Sequence, residues 1–202
     1  MIAAGPFVQI CIENYVFVKK NNTYMKVALY FGSFNPLHRG HLAICKYLLE
    51  CNEFDQVRII LSPGNPLKDS SLLVSARARF NHINESMERL GLDKIVVSDI
   101  EMKMVPPLYT IHTLEKLSAN EPENSFVMII GADNLSIIER WYEWEKIVGS
   151  YEIWVYPRYG YDAEALCRKY GAHLIDAPLV DISSTEIREA ERAGRNMNKY
   201  RI

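Results

Sequence analysis

One stretch constrains this chain more than any other: Phe31-Gly32-Ser33-Phe34-Asn35-Pro36-Leu37-His38-Arg39-Gly40-His41-Leu42. An apolar run, Lys26 to Phe31, leads into it and reads as a buried strand. An amphipathic run, Leu42 to Glu50, leads out and reads as a helix. A strand, a turn of small residues and a helix N-terminus make a phosphate site. Unpaired backbone N–H groups and the helix dipole both point into such a turn. His38 and His41 are three apart, so a helix that begins at His38 puts them on one face.

The rest of the chain repeats the alternation. Gln56–Leu61, Lys94–Ser98, Ser125–Ile130, Tyr151–Tyr156 and Ala172–Ile175 read as further strands. Helices are predicted from Ser75 to about Leu90, from Thr110 to Leu117, through Trp141 and Trp144, from Asp162 to Tyr170, and from Ile182 to Ala193. Strands alternating with helices mean an α/β fold with a doubly wound, mostly parallel sheet. Such sheets bind ligands beyond the carboxyl ends of their strands. The unusual loops all follow strands, so they should gather at one edge as one site.

Size and composition narrow the options. With 202 residues the chain supports one α/β domain and little more. Met25 stands directly before the first strand, so residues 1–24 read as an N-terminal extension or an upstream-start artefact, and 25–202 as the single domain. The net charge of −2 gives no sign of a nucleic-acid binder. No apolar run reaches membrane-spanning length. Cys11, Cys45, Cys51 and Cys167 form no CxxC pair, which suits a reducing, cytoplasmic setting. Oligomeric state is not encoded in any pattern, and a homo-oligomer is allowed.

The histidine pair admits several readings. With Cys45 it could ligate a metal. The histidines could be surface or capping residues. They could also grip nucleotide phosphates and stabilise charge on a transferred phosphorus. The turn is neither the dinucleotide GxGxxG nor the P-loop pattern.

Gly32, Phe34, Pro36, His38, Gly40 and His41 fill every position of GxFxPxHxGH. In this the chain resembles the nucleotidyltransferase superfamily related to class I aminoacyl-tRNA synthetases. Ile182-Ser183-Ser184-Thr185-Glu186-Ile187-Arg188 matches that superfamily's second motif, ISSTxIR. Read on its own, the same stretch is a good helix start. The middle of the chain resembles the bacterial-type nicotinate mononucleotide adenylyltransferases. The carriers are Ser62-Pro63-x-x-Pro66-x-Lys68, Asp99-Ile100-Glu101, Tyr109-Thr110-x-x-Thr113-Leu114, Gly131-Ala132-Asp133-Asn134, Trp141 and Arg158-x-Gly160. Leu108 and Tyr159 depart from the pattern, where serine and proline are usual.

The resemblance implies a Rossmann-like nucleotidyltransferase fold and adenylyl transfer from ATP to nicotinate mononucleotide. It implies ATP contacts from Gly32, Ser33, Phe34, His38, Gly40, His41, Ile182, Ser183, Ser184 and Arg188, with His38, His41 and Arg188 catalytic. The acceptor would meet Lys68, Tyr109, Thr110, Asp133, Trp141 and Arg158. Mg²⁺ would come with ATP and be held mainly by substrate phosphates, without an all-protein site. Nicotinamide mononucleotide, phosphopantetheine or a flavin nucleotide are other acceptors within the superfamily, and a non-catalytic nucleotide-binding module is a reading from another class. Open N–H groups at the Tyr109–Thr110 helix start suit a carboxylate better than an amide. Trp141 suits a flat ring, whereas Trp144 reads as core.

Other residues read blandly. Arg77 and Arg79 are expected on the polar face of the Ser75 helix. Glu101 is not expected to be a general base, because an attacking phosphate is already anionic. Asn196–Ile202 carries no informative pattern.

Overall fold

The computed structural model describes residues 24–64, 76–179 and 182–202. Its centre is a six-stranded parallel sheet in the order β3-β2-β1-β4-β5-β6. The strands are β1 (Lys26–Gly32), β2 (Gln56–Leu61), β3 (Ile95–Ser98), β4 (Ser125–Gly131), β5 (Glu152–Tyr156) and β6 (His173–Leu174). The helices are α1 (Arg39–Glu50), α2 (Ala76–Arg89), α3 (Thr110–Asn120), α4 (Ala132–Leu135), α5 (Trp144–Ser150), α6 (Ala163–Tyr170) and α7 (Ser184–Arg192). The order reverses between β1 and β4, which is the switch point where open α/β sheets take ligands.

The strands are apolar on both faces because both faces are covered. In β1, Ala28 and Tyr30 face the cluster that holds Ile44, Cys45 and Leu48 of α1 and Ile83 and Met87 of α2. Val27 and Leu29 face the other cluster, with Ile111, Leu114 and Leu117 of α3, Ile147 of α5 and Cys167 of α6. The period-two alternation of the strand thus feeds two cores. A fully buried Leu or Ile in either is worth about 1.5–3 kcal/mol.

The predicted elements match these to within a few residues. β6 is shorter than predicted, His173–Leu174 rather than Ala172–Ile175. Ser75, Lys68 and residues 1–23 lie outside the described residues, so the expectations placed on them go no further here. Among the described residues, no helix is long and apolar enough to cross a membrane.

Candidate active site

A cavity of about 520 Å³ opens at the carboxyl ends of β1, β2, β4 and β5. Twelve of the sequence-predicted residues line it. Gly32, Ser33, Phe34, His38 and His41 come from the β1–α1 turn, and Ser183 and Ser184 from the start of α7. Tyr109 and Thr110 open α3, while Asp133, Trp141 and Arg158 follow β4 and β5. Gly40, Ile182 and Arg188 stand outside that lining.

The histidines build the start of α1. His38 is the N-cap, and its Nδ1 accepts from the Gly40 N–H at 3.2 Å. The Nδ1 of His41 accepts from the His38 N–H at 3.2 Å, closing a reciprocal capping box. An imidazole nitrogen that accepts leaves the proton on the other nitrogen. Both rings therefore present Nε2–H. They stack, with centroids 3.6 Å apart and planes 30° from parallel. His38 is only 1% exposed, and its Nε2 is buried without a hydrogen-bond partner. Burial, aided by the Arg158 charge and opposed by Glu186, lowers its pKa to about 4. His38 is thus a neutral N–H donor at ordinary pH. The capping reading of the histidines holds, and it leaves both distal nitrogens as donors. Cys45 is not on this front: it is buried in the α1 core, and burial pushes its thiol up to about 12.

The glycines answer to side chains. A Cβ on Gly32 would lie 3.0 Å from the tip of the Phe34 ring. Gly32 therefore makes room for Phe34, which is buried and adopts φ +44. That left-handed backbone is costly for a non-glycine residue and is held by the packing around the ring. A Cβ on Gly131 would meet Asp133 Oδ1 at 2.2 Å and the Tyr156 ring at 3.0 Å.

The second motif bolts onto the first. Ser183 caps α7, accepting from the Glu186 N–H at 3.2 Å, while Glu186 accepts from the Ser183 N–H at 2.7 Å. Ser184 Oγ donates to the Pro36 carbonyl at 3.1 Å, and Arg188 donates to the Asn35 carbonyl at 2.5 Å. The 201 region closes the same turn from outside. Arg201 pairs with His38 in an antiparallel bridge and is held by Glu191 at 2.6 Å. The segment 196–202, patternless in sequence, is therefore part of the site's frame.

Across the cavity, Arg158 Nε and Asp133 Oδ1 stand 3.7 Å apart. That is an ion pair too long for a hydrogen bond, and both atoms are buried without a hydrogen-bond partner. Tyr109, the N-cap of α3, makes no side-chain cap hydrogen bond, and its own N–H donates to the Pro107 carbonyl at 3.2 Å. Trp141 lines the cavity, whereas Trp144, outside that lining, packs edge-on to Tyr170; both are half-buried against the α3 side of the core. Tyr142, which the sequence reading passed over, stacks on Tyr109 at 4.5 Å with His112 edge-on to both. Its place beside Trp141 was the available signal.

One expectation is corrected. Arg79 is not on a solvated face: it is 5% exposed and donates to the carbonyls of Ser33, Ser62 and Pro63. Glu101 lines the cavity but is 2% exposed, accepting from Ser62 Oγ at 2.5 Å and Thr113 Oγ1 at 3.0 Å. Burial raises its pKa, and those two hydrogen bonds partly offset the rise.

A family profile described as cytidylyltransferase-like matches residues 29–190. Among curated relatives, a protein of Flavobacterium johnsoniae named "Probable nicotinate-nucleotide adenylyltransferase" is 40% identical over 86% of this chain and 90% of its own. One from Bacteroides fragilis is 39% identical over 87% of this chain and 86% of its own. The chain belongs to the nicotinate-nucleotide adenylyltransferase family. Its fold is shared with the Plasmodium falciparum nicotinic acid mononucleotide adenylyltransferase complexed with NaAD. That match has a TM-score of 0.75 at 21% identity and covers 87% of this chain and 90% of the other. The adenylyltransferase signature is thus carried by a turn locked from three sides, facing an open ion pair across one cavity.

Proposed function

We infer that this chain transfers the adenylyl group of ATP to nicotinate mononucleotide, giving deamido-NAD and pyrophosphate in NAD biosynthesis. The observation that carries the mechanism is the capping box that leaves the proton on Nε2 of His38 and of His41, two residues lining the cavity that also holds Asp133 and Arg158. A phosphate oxygen of the acceptor attacks the α-phosphorus of ATP and forms the new P–O bond. The bond from the α-phosphorus to the bridging oxygen breaks, and pyrophosphate leaves with the electron pair. The acceptor phosphate is already anionic, so no side chain need remove a proton.

Catalysis is then positioning and charge stabilisation. His38 and His41 donate to oxygens around the α-phosphorus, where negative charge builds. An anion at His38 Nε2 also satisfies a buried donor whose isolation costs about 1–3 kcal/mol. Gly32, Ser33, Phe34 and Gly40 shape the turn around the phosphates. Ile182, Ser183 and Ser184 bring the α7 N-terminus to the leaving pyrophosphate, with Arg188 adding positive charge one turn in.

On the acceptor side, the open amides of the Tyr109–Thr110 helix start take the nicotinate carboxylate from Thr110 onward, the Tyr109 N–H being held by the Pro107 carbonyl at 3.2 Å. Trp141 backs the pyridine ring, Asp133 accepts from ribose hydroxyls, and Arg158 meets the phosphate. Lys68 is assigned to the same phosphate on the sequence pattern alone.

The cavity carboxylates do not suit a protein-held Mg²⁺. Glu101 is engaged by Ser62 and Thr113, and Asp133 faces Arg158. Among the described residues, no group of three or more His, Cys, Asp or Glu is placed to hold a metal. Mg²⁺ brought with ATP would be held mainly by the substrate's own phosphates and would neutralise charge there.

The test is pyrophosphate release from MgATP with a panel of acceptors. Nicotinate mononucleotide should turn over fastest, ahead of nicotinamide mononucleotide and phosphopantetheine, with His41→Ala at background. Turnover of another acceptor in preference to the acid mononucleotide would overturn the assignment.

A further inference from the structure

We infer that Arg79 is a positioning residue for the nucleotide turn, aiming the Phe34 N–H at the phosphates from behind while tying that turn to the loop after β2. This rests on the reading of the β1–α1 turn as the ATP side.

The geometry is specific. Arg79 lies in the first turn of α2 and is 5% exposed. One guanidinium nitrogen donates to the Ser33 carbonyl at 2.5 Å and the Ser62 carbonyl at 3.0 Å. A second donates to the Pro63 carbonyl at 3.0 Å. Ser33 follows β1, and Ser62 and Pro63 follow β2. One cation thus fastens two neighbouring strand ends to the same helix.

The consequence follows from the peptide plane. The Ser33–Phe34 bond is trans, so its C=O and N–H point in opposite directions. Ser33 and Phe34 line the cavity and Arg79 does not. Drawing the Ser33 carbonyl back toward α2 therefore turns the Phe34 N–H toward the cavity, where an anion can accept from it. Without the clamp, the peptide could rotate and present a carbonyl oxygen to the phosphates, exchanging attraction for repulsion.

Three carbonyls on two chain segments need a rigid fork of donors. Arginine supplies one, whereas the ammonium of lysine is a single compact point. Arginine at this buried helix position is thus explained by the direction of a backbone amide two elements away.

The experiment compares the wild-type chain with Arg79→Lys and with Ile83→Val, a control on the same helix. Ile83 is fully buried in the sheet-facing core, so its substitution loosens packing without touching the clamp. MgATP affinity is measured by calorimetry without acceptor, and then KM and kcat for both substrates. Arg79→Lys should weaken MgATP binding and raise the ATP KM by about tenfold or more. The KM for nicotinate mononucleotide should move less, and Ile83→Val should leave MgATP affinity at the wild-type value.

Wild-type MgATP affinity in Arg79→Lys, or an equal loss in Ile83→Val, would overturn the inference. If Arg79→Lys does not fold, Arg79→Ala is titrated with millimolar guanidinium ion. Recovery of MgATP affinity supports the clamp, and no recovery counts against it. A wild-type chain that binds MgATP but adenylates no mononucleotide overturns the acceptor reading and leaves the Arg79 comparison standing. One that binds no MgATP overturns both.

Discussion

On the β1 side of the cavity, three turn carbonyls are taken by side chains from elsewhere in the fold: Ser33 by Arg79, Asn35 by Arg188 and Pro36 by Ser184. On the β4–β5 side, Asp133 and Arg158 face one another at 3.7 Å with buried atoms still lacking hydrogen bonds. The first half is backbone locked from behind, with donors showing in front. The second half is side chains held apart. On the proposed assignment the contrast means that the two substrates are received differently. The nucleotide would meet a surface organised beforehand, which lowers the ordering cost of binding. The acceptor phosphate would add its charge to the Asp133–Arg158 pair.

Breaking the locked half at its chemical tip should cost most. His38→Asn keeps an oxygen able to cap α1 but removes the Nε2–H. The expected result is a fall in kcat of about 10²- to 10³-fold, with a melting temperature close to wild type. A variant that keeps wild-type kcat would show that the donor is not used.

The acidic limb of the stability curve sharpens the same half. His38 has its pKa lowered to about 4 by burial, with Arg158 adding to the effect. The unfolded chain binds a proton at this residue near pH 6.5 and the folded chain does not. Stability therefore falls as pH drops from about 6.5 toward 4, by a total on the order of 3 kcal/mol from this group. Denaturant unfolding across that window should be less steep with pH in His38→Asn than in wild type. Saturating MgATP should raise the His38 pKa, a shift that NMR of the imidazole would follow. Identical pH slopes in the two proteins would remove His38 as the cause.

The open half should respond more gently and to one substrate. Arg158→Ala is expected to raise the KM for nicotinate mononucleotide by roughly tenfold, as loss of a charged hydrogen bond does. Its ATP KM should change little. An equal rise in both constants would erase the distinction between the halves.

Much of this architecture was legible in the chain. The β1–α1 turn, the Ser183–Arg188 helix start and the alternation of strands and helices are local patterns, and local patterns survive in sequence. Trp141 and Trp144 share one predicted helical stretch, and only the family resemblance, not the local pattern, sets Trp141 apart. What stayed hidden acts at a distance. Arg79 stands four residues before Ile83 and eight before Met87, so the period puts it on the buried face of α2, against the habit of arginine; only the folded chain shows it gripping Ser33, 46 residues away. Glu101 was visible as a carboxylate, but its engagement by Ser62 and Thr113 depends on three elements converging. Arg201 acts through its main chain, and a backbone pairing leaves no side-chain signature.

The joining of the two motifs bears on how the protein is made. Ser184 reaches the Pro36 carbonyl across 148 residues of chain, and Arg188 reaches that of Asn35 across 153. Contacts of such separation are entropically expensive to close and form slowly. Synthesis delivers the N-terminal strands first. The β1–α1 turn thus leaves the ribosome well before α7 and takes its working shape only after it. A nascent chain has the histidines before it has the contacts that lock them, and on the proposed assignment its grip on ATP is finished only when α7 docks.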